Sequence, residues 1–430
     1  MPALEQTADM MRTILLALCL LISPSVTLLA EFRAGIAVRK VTPDPLLPVS
    51  GGIGPSDPVK ASRGDLSVRA LVLSQDDAVV AIVSTDFLGF PSVLGDRVRA
   101  LVKEIPADNI LIGATHTHSA PDMYGFPDGK GGFNSDLKYV QQVVEWTAEA
   151  IKEAHAAQKP AKLRVATGPA KGKIAFNSYA DALYDPRCHV LQAIGTDERV
   201  IATLVNYAVH PEVLGADLGL CSPDLIGPLY DRLAEKGGGV GIFMNSAQGG
   251  MVTADNRGEG GKDVRTWEEC QRIGNLLADE ALRLIAKAPA KTNPKLFVTS
   301  RILRLPVESK MMLEITRKSP LGYPPPEDGK WIKTRLNLIN IGHAQILTIP
   351  GEALPNIGFY LKRKMHGTHN LLFGLTNDAL GYILTKVDYA SFRRYDYITR
   401  TSLGEMTGEL LMEAALKLAD ESPRPETTEP

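Results

Sequence analysis

The sequence predicts an α/β fold in which helices cover sheets that are largely buried. Short apolar runs alternate along the chain with longer segments whose apolar residues recur every three to four positions, as they do in amphipathic helices. Of the 430 residues, 44% are hydrophobic and 22% are charged, a composition typical of a soluble globular protein, which excludes disorder for most of the chain. No linker or internal repeat divides the chain, so we expect one domain of catalytic size.

The strands are predicted from short apolar runs and the helices from apolar residues at helical spacing. In residues 92–105, for example, Leu94 and Val98 would share one face of a helix. The predicted elements, in chain order, are strands 66–73 and 78–84, helix 92–105, strand 109–114, helix 136–156, strands 163–167, 189–194 and 200–209, helix 223–235, strand 240–243, and helices 267–286, 353–365 and 405–419. Segments rich in glycine and proline, at 125–134, 255–262 and 319–330, are expected to be surface loops, and the tail 422–430 to be disordered.

The N-terminus has the pattern of a secretory signal peptide. Arg12 precedes an apolar run at 14–22, and small residues follow up to Ala30. The apolar run is too short to span a bilayer, which needs about 20 residues, although an N-terminal membrane anchor stays open as the alternative. We therefore expect residues 1–30 to be removed and the chain from Glu31 to be secreted or periplasmic.

Charge and cysteine content exclude two classes of site. The 47 basic and 49 acidic side chains give a net charge of −2, which does not fit an electrostatic nucleic-acid binder. Beyond the signal peptide the cysteines are Cys188, Cys221 and Cys270, and no two of them form a CxxC pair. A thiolate zinc site is therefore excluded. One disulfide is conceivable in an oxidising compartment, but we expect buried free thiols.

Candidate metal ligands follow the ends of three apolar runs. His116 and His118 come directly after predicted strand 109–114, and His210 comes after strand 200–209. Glu352 follows the apolar residues 346–349 and a Pro-Gly turn. Paired imidazoles suit a transition metal, zinc above all, although each group alone is more often structural. Because ligands bind at the carboxyl ends of strands in open α/β sheets, the three together favour a site.

These motifs resemble the neutral and alkaline, non-lysosomal ceramidases, in particular their N-terminal catalytic domain. The resemblance runs from Ala34 to about Thr401 and rests on the ATHTHS, AVH and PGE segments and on a tyrosine-rich stretch, 376–396. It implies mixed β-sheets in a layered sandwich flanked by helices, formed by residues 31–421. The residues after 421 are too few for the C-terminal immunoglobulin-like domain of that family, so a divergent member without it is expected.

The resemblance also implies the residues of the site. The zinc ligands would be His116, His210, Glu352 and, one inserted residue later than the family spacing, Tyr395. His118 and Tyr382 would contact the substrate or the developing oxyanion. With zinc lowering the pKa of a bound water, His118 could move the proton and Tyr382 could donate a hydrogen bond to the oxyanion.

The sequence departs from the family in its serine segment and its substrate arginine. In residues 245–256 the family aspartate is missing, and the family serine corresponds to Thr253 or, alternatively, to Ser246. Gly249 and Gly250 form either a tight turn or an amide cradle for an oxyanion. The family's Asn-Arg pair is not matched, because Asn177 is followed by a serine.

Two functions remain open on the sequence alone. The first is an exported zinc-dependent amide hydrolase of lipid metabolism that cleaves ceramide or a related N-acyl compound by means of a zinc-bound water. Such an enzyme would contact the membrane peripherally to reach a lipid substrate and would have no nucleic-acid partner. The second is a degenerate member of the family that binds a ligand or metal without turnover. The intact ligand set favours the enzyme.

Overall fold

Two β-sheets lie face to face at the centre of the protein. The computed structural model describes residues 31–427, which belong to one compact unit. The predicted signal peptide, 1–30, lies outside the described residues, so export stays a prediction. Within the described part of the chain, no helix is both long and apolar enough to cross a membrane.

The larger sheet has nine strands of mixed direction. Its strands are β1 (Arg33–Lys40), β2 (Ser67–Gln75), β3 (Ala78–Thr85), β4 (Ile110–Ala114), β5 (Lys159–Pro169), β6 (Arg187–Gly195), β7 (Val200–Tyr207), β8 (Val240–Asn245) and the short β9 (Lys291–Thr292). The order is β8-β7-β6-β5-β1-β2-β3-β4, with β9 beside β5. The pairs β7–β8 and β3–β4 are parallel, so within each pair the two carboxyl ends lie side by side.

The smaller sheet has four strands in the order β10-β11-β12-β13. They are β10 (Leu296–Pro306), β11 (Trp331–Ile341), β12 (Ala344–Thr348) and β13 (His369–Phe373), and only β12–β13 is a parallel pair. Three two-stranded pieces complete the strands of the described region: Ala61–Ser62 with Leu220–Cys221, Ala175–Asn177 with Val252–Ala254, and Glu352–Ala353 with Tyr382–Ile383.

Helices cover the outer faces of both sheets. They are α1 (Ser92–Leu101), α2 (Leu137–Ala156), α3 (Ile226–Glu235), α4 (Trp267–Ile285), α5 (Lys310–Lys318), α6 (Pro355–Lys364), α7 (Asp396–Arg400) and α8 (Thr407–Glu421). Helices α1 to α4 pack on the larger sheet, and α6 and α8 pack on the smaller one. Between the sheets, apolar side chains such as Ile82 and Ile346 form a common core. The α/β fold with layered sheets and flanking helices is thus confirmed.

Several predicted boundaries shift, and some elements were not predicted. Helix α1 stops at Leu101 rather than 105, because Val102 is extended. Strands β10 and β11 and helix α5 were missed because charged residues interrupt their apolar pattern, and the short apolar run of β1 was also missed. The thiols of Cys188, Cys221 and Cys270 are free and buried, as expected.

The described part of the C-terminal tail, for which the sequence predicts disorder, contacts the smaller sheet. The Pro423 carbonyl accepts a hydrogen bond from Asn340 at 2.7 Å. The Glu426 amide donates to the Gly342 carbonyl at 2.9 Å, and its carboxylate lies 3.0 Å from the Lys291 ammonium. These contacts tie residues 423–426 to the edge of the smaller sheet.

Candidate metal centre and active site

The carboxyl ends of strands from both sheets bring three predicted ligands together. His116 follows β4, His210 follows β7, and Glu352 follows β12. His116 has a φ of 73°, in the left-handed region, so a backbone turn rather than continued strand alternation aims its ring. The rings of His116 and His118 nevertheless meet, with centroids 4.8 Å apart.

The buried amide of Asn245 holds the two histidine segments in register. Its Nδ2 donates to the Thr115 carbonyl at 3.1 Å and to the Val209 carbonyl at 2.7 Å. These carbonyls belong to the residues immediately before His116 and His210. Asn245 ends strand β8, so the sheet edge itself fixes how far apart the two imidazoles lie.

Hydrogen bonds to the backbone orient both imidazoles. The Nδ1 atom of His116 lies 2.6 Å from the Leu88 carbonyl, and the Nδ1 of His210 lies 2.8 Å from the Val252 carbonyl. A carbonyl only accepts, so each Nδ1 carries the proton and each Nε2 is left with a lone pair. The Glu352 Oε2 lies 3.4 Å from the first Nε2 and 3.1 Å from the second.

This cluster requires a positive charge between its members. Two neutral imidazoles would direct lone pairs at a buried carboxylate, which is unfavourable unless a proton or a metal ion lies between them. Burial lowers the pKa of His210, but the Glu352 hydrogen bond and the carboxylates of Glu212 and Glu352 outweigh it and raise the pKa to about 9. Borderline N and O donors of this kind fit zinc, which the same three residues could hold.

His118 lies beside this group with one nitrogen unused. Ligand atoms of His116, His118 and His210 all lie within 4.8 Å of one another. The Nδ1 of His118 lies 3.6 Å from the Glu212 carboxylate, whereas its buried Nε2 has no hydrogen-bond partner among the described residues. Burial lowers the pKa of His118 to about 3, so its imidazole is neutral near pH 7 and its Nε2 carries no proton when Nδ1 does.

Glu212, which no motif in the sequence singles out, also belongs to the site. Its carboxylate lies between the His118 ring and the Thr253 hydroxyl. Burial raises the pKa of Glu212, but the neighbouring imidazoles and the Thr253 hydrogen bond outweigh it and hold the pKa below its usual range. A carboxylate directly after the His-Pro pair was the only sequence signal that could have identified it.

Tyr382 lies beside Glu352. The two residues pair in the two-stranded piece that joins Glu352–Ala353 to Tyr382–Ile383. The Tyr382 hydroxyl donates to the Met251 sulfur at 3.3 Å. Burial, and then the Glu352 charge, raise the pKa of Tyr382 well above its usual value, so the phenol stays protonated and can donate a hydrogen bond.

Tyr395 does not join the group of predicted ligands. Its ring stacks on Tyr179 with centroids 5.6 Å apart, and its edge contacts Phe392 at 5.4 Å. Tyr397 instead packs against Tyr382, with centroids 5.9 Å apart, and lines the same cavity as His116. Helix α7 begins between them, and residues two apart on a helix point to opposite sides. Of the two tyrosines, Tyr397 therefore lies on the side of His116 and Glu352.

Thr253 and Ser246 lie in different surroundings. Thr253 forms a parallel bridge with His210 and lines a cavity together with Glu212. Ser246 is buried, with its hydroxyl 3.3 Å from the Lys362 ammonium, and it lines neither cavity at the site. Of the two candidates for the family serine, only Thr253 faces the site.

The glycine run behind Glu352 is a tight turn. The Gly249 amide donates to the Ala353 carbonyl at 3.0 Å, and Gly250 has a φ of 68°. A Cβ on Gly249 would lie 2.1 Å from the Glu352 carbonyl oxygen. Glycine is therefore needed here so that the backbone can pass closely behind the ligand.

A buried ion pair stabilises the helix that follows Glu352. Lys362 on α6 lies 2.9 Å from the Asp185 carboxylate and 3.1 Å from the His189 ring, and both charged side chains are at most 5% exposed. Burial raises the pKa of Asp185, but Lys362 and Arg187 outweigh it, so the net pKa is below its usual range. This part of the stability is therefore present above about pH 4 and is lost as the pH falls through the pKa of the folded state.

We expect Lys362→Met to destabilise the protein by about 1–3 kcal/mol, because Asp185 stays charged and buried with only Arg187 as its partner. The control Lys362→Met/Asp185→Asn removes both charges and should recover part of that loss. Denaturant unfolding of the three proteins at neutral pH measures the difference. A single variant as stable as the parent protein would contradict the structural role of this pair.

Two cavities meet at the histidine cluster. The apolar arm, about 90 Å³, is lined by side chains such as Leu88, Phe126 and Met312 and also by His116, Glu352 and Tyr382. The polar arm, about 680 Å³, is lined by Glu212, Thr253, Arg265 and several further polar residues. Both cavities include the residues Gly51, Gly52, Ile53, His118 and Tyr397. A substrate could therefore extend in two directions from His118.

Comparison with solved structures identifies the fold. No family model matches the sequence, and no curated protein matches it. The crystal structure of neutral ceramidase from Pseudomonas aeruginosa is similar with a TM-score of 0.71 and 17% identity, covering 93% of this chain and 76% of that one. A structure described as ceramidase complexed with C2 gives a TM-score of 0.72 at 17% identity, covering 93% and 77% of the two chains. The chain has a neutral ceramidase-like fold.

Proposed function

We propose that this protein is a zinc-dependent amide hydrolase that cleaves the N-acyl bond of a ceramide or a related lipid amide. One observation carries the proposal: two oriented imidazoles and a buried carboxylate converge beside His118 where two cavities meet. The fold shared with neutral ceramidases supports it.

His116, His210 and Glu352 would hold the zinc, and Tyr397 is the best-placed fourth ligand. Tyr397 lines the apolar arm together with His116 and Glu352. Burial, and then the Glu352 charge, raise the pKa of Tyr397 to about 12, so only a nearby cation would favour its phenolate. Zinc, when bound, would polarise the amide carbonyl and lower the pKa of a water.

Side chains of this protein would transfer the proton, stabilise the oxyanion and position the reacting groups. His118 Nε2 would take a proton from the attacking water and pass it to the leaving amine. Tyr382 would donate a hydrogen bond to the oxygen that becomes negative in the transition state. Glu212 would hold the His118 ring, and the Thr253 hydroxyl would position the carboxylate of Glu212.

We expect Tyr397→Phe to weaken zinc binding, whereas Tyr395→Phe leaves it unchanged. Each variant removes one phenol hydroxyl, and the two positions are only two residues apart. Tyr395→Phe is therefore a matched control. Competition with a zinc chelator measures the affinity, and circular dichroism verifies the fold. If Tyr395→Phe alone weakens binding, the ligand predicted from sequence is right and the assignment of Tyr397 is wrong.

The proposed function itself is tested by zinc analysis together with a panel of N-acyl amides. We expect about one zinc per chain and release of free fatty acid from at least one amide. Binding of the amides without hydrolysis by the zinc-loaded protein would indicate the degenerate binding protein. The departures at Thr253 and Ser178 are the observations that keep this second function open.

A further inference from the structure

The residues that line each arm indicate which half of an amide substrate that arm would receive. His116, Glu352 and Tyr382, which would act on the carbonyl, line only the apolar arm. His118, which would protonate the leaving nitrogen, lies at the junction, and Glu212 and Thr253 line only the polar arm. An amide whose carbonyl is near Tyr382 and whose nitrogen faces His118 therefore directs its acyl chain into the apolar arm and its amine half into the polar arm.

The polar arm carries an excess of negative charge. Its lining includes four carboxylates, from Asp57, Glu212, Asp217 and Asp263, and one guanidinium, from Arg265. Arg265 is paired with Asp217, and within residues 31–427 neither Asp57 nor Asp263 forms a salt bridge. A negatively charged amine half would be repelled by this excess of like charge, and a hydrocarbon chain would meet polar groups that it cannot satisfy.

We propose that the amine half of the substrate is hydrophilic, bears hydroxyl or ammonium groups, and carries neither a carboxylate nor a long hydrocarbon chain. The inference rests on the proposed function and narrows its substrate class to lipid amides other than ceramide, because the amine half of a ceramide carries a long hydrocarbon chain. The polar arm has the larger volume, about 680 Å³ against about 90 Å³ for the apolar arm, which is consistent with a bulky solvated group on the amine side. The buried, unpartnered Nε2 of His118 marks the place where the scissile nitrogen would lie.

The experiment compares four amides of octanoic acid that differ only in the amine. N-octanoylethanolamine is neutral, N-octanoylputrescine is cationic, N-octanoylglycine is anionic, and N-octanoylsphingosine carries a long chain. With the zinc-loaded protein at low salt, we expect kcat/KM for the ethanolamine and putrescine amides to exceed that for the glycine amide by at least about 10-fold. The sphingosine amide should also be poorer than the ethanolamine amide.

Reversing two negative charges in the polar arm tests whether these charges cause the expected preference against the anionic amide. Asp57→Lys/Asp263→Lys should raise the rate on the glycine amide relative to the ethanolamine amide by about 10-fold, because two repulsive charges become attractive. Asp231→Lys is the control, since Asp231 is an exposed carboxylate on α3 that lines neither arm. An unchanged ratio in the double variant would overturn the inference.

Failure of the inference is distinguishable from failure of the proposed function. If the glycine or sphingosine amide is the best substrate, the protein is a hydrolase and the assignment of the polar arm is wrong. If no amide is hydrolysed, the proposed function fails, and calorimetric binding of the same four amides still ranks the arm's preference. Binding in the expected order supports the polar arm as a hydrophilic site, and the reverse order rejects it.

Discussion

Replacement of His116 or His210 by alanine is expected to abolish zinc binding and hydrolysis together. Each imidazole presents its Nε2 to Glu352, because its Nδ1 is held by a backbone carbonyl. Both histidines are buried at the ends of strands whose separation Asn245 fixes, so alanine at either position removes a donor from a fixed place in the cluster. Loss of one nitrogen leaves too few donors for a tight zinc site.

The measurement is zinc content per chain after dialysis against a weak chelator, with amide hydrolysis measured on the same samples. His366→Ala serves as the matched control, because His366 is a histidine that pairs with Asp420 on helix α8, outside both cavities. It should retain zinc and activity. Stoichiometric zinc in a folded His116→Ala/His210→Ala variant would show that the metal centre lies elsewhere.

Replacement of His118 by alanine is expected to lower kcat by about 10²- to 10⁴-fold while zinc stays bound, because general acid–base catalysis is typically worth that much. The neutral ring has its free Nε2 at the junction of the two arms and its Nδ1 near Glu212. Glu212→Gln should lower kcat less, since the amide can still orient the ring. Thr253→Ala should lower kcat less than either of these variants, because in this mechanism the hydroxyl only positions the Glu212 carboxylate and forms no bond to the substrate.

The zinc content of His118→Ala decides whether His118 transfers a proton or binds the metal. His118 lies close enough to the other imidazoles to be a ligand itself. If His118→Ala loses its zinc along with its activity, the residue is a metal ligand and the proton is moved by another group. A trapped acyl group on Thr253 that is absent from Thr253→Ala would overturn direct attack by water.

The sequence by itself determined the fold class, most of the elements, and the histidines and carboxylate that follow three apolar runs. These features are local: strand and helix periods depend on neighbouring residues, and a polar group at a strand end is visible in the chain. The structure confirmed the layered sheets with flanking helices and the three free buried thiols. It also brought His116, His210 and Glu352 together, at the ends of strands from both sheets.

Only the tertiary structure decided which tyrosine and which hydroxyl face the site. Tyr395 and Tyr397 differ by two positions, and the turn into α7 determines which of them points toward Tyr382. Thr253 faces the polar arm because its strand pairs with Phe176, far away in sequence, whereas Ser246 is directed to Lys362. Side-chain direction at such positions depends on packing between segments distant in the chain, which no local pattern encodes.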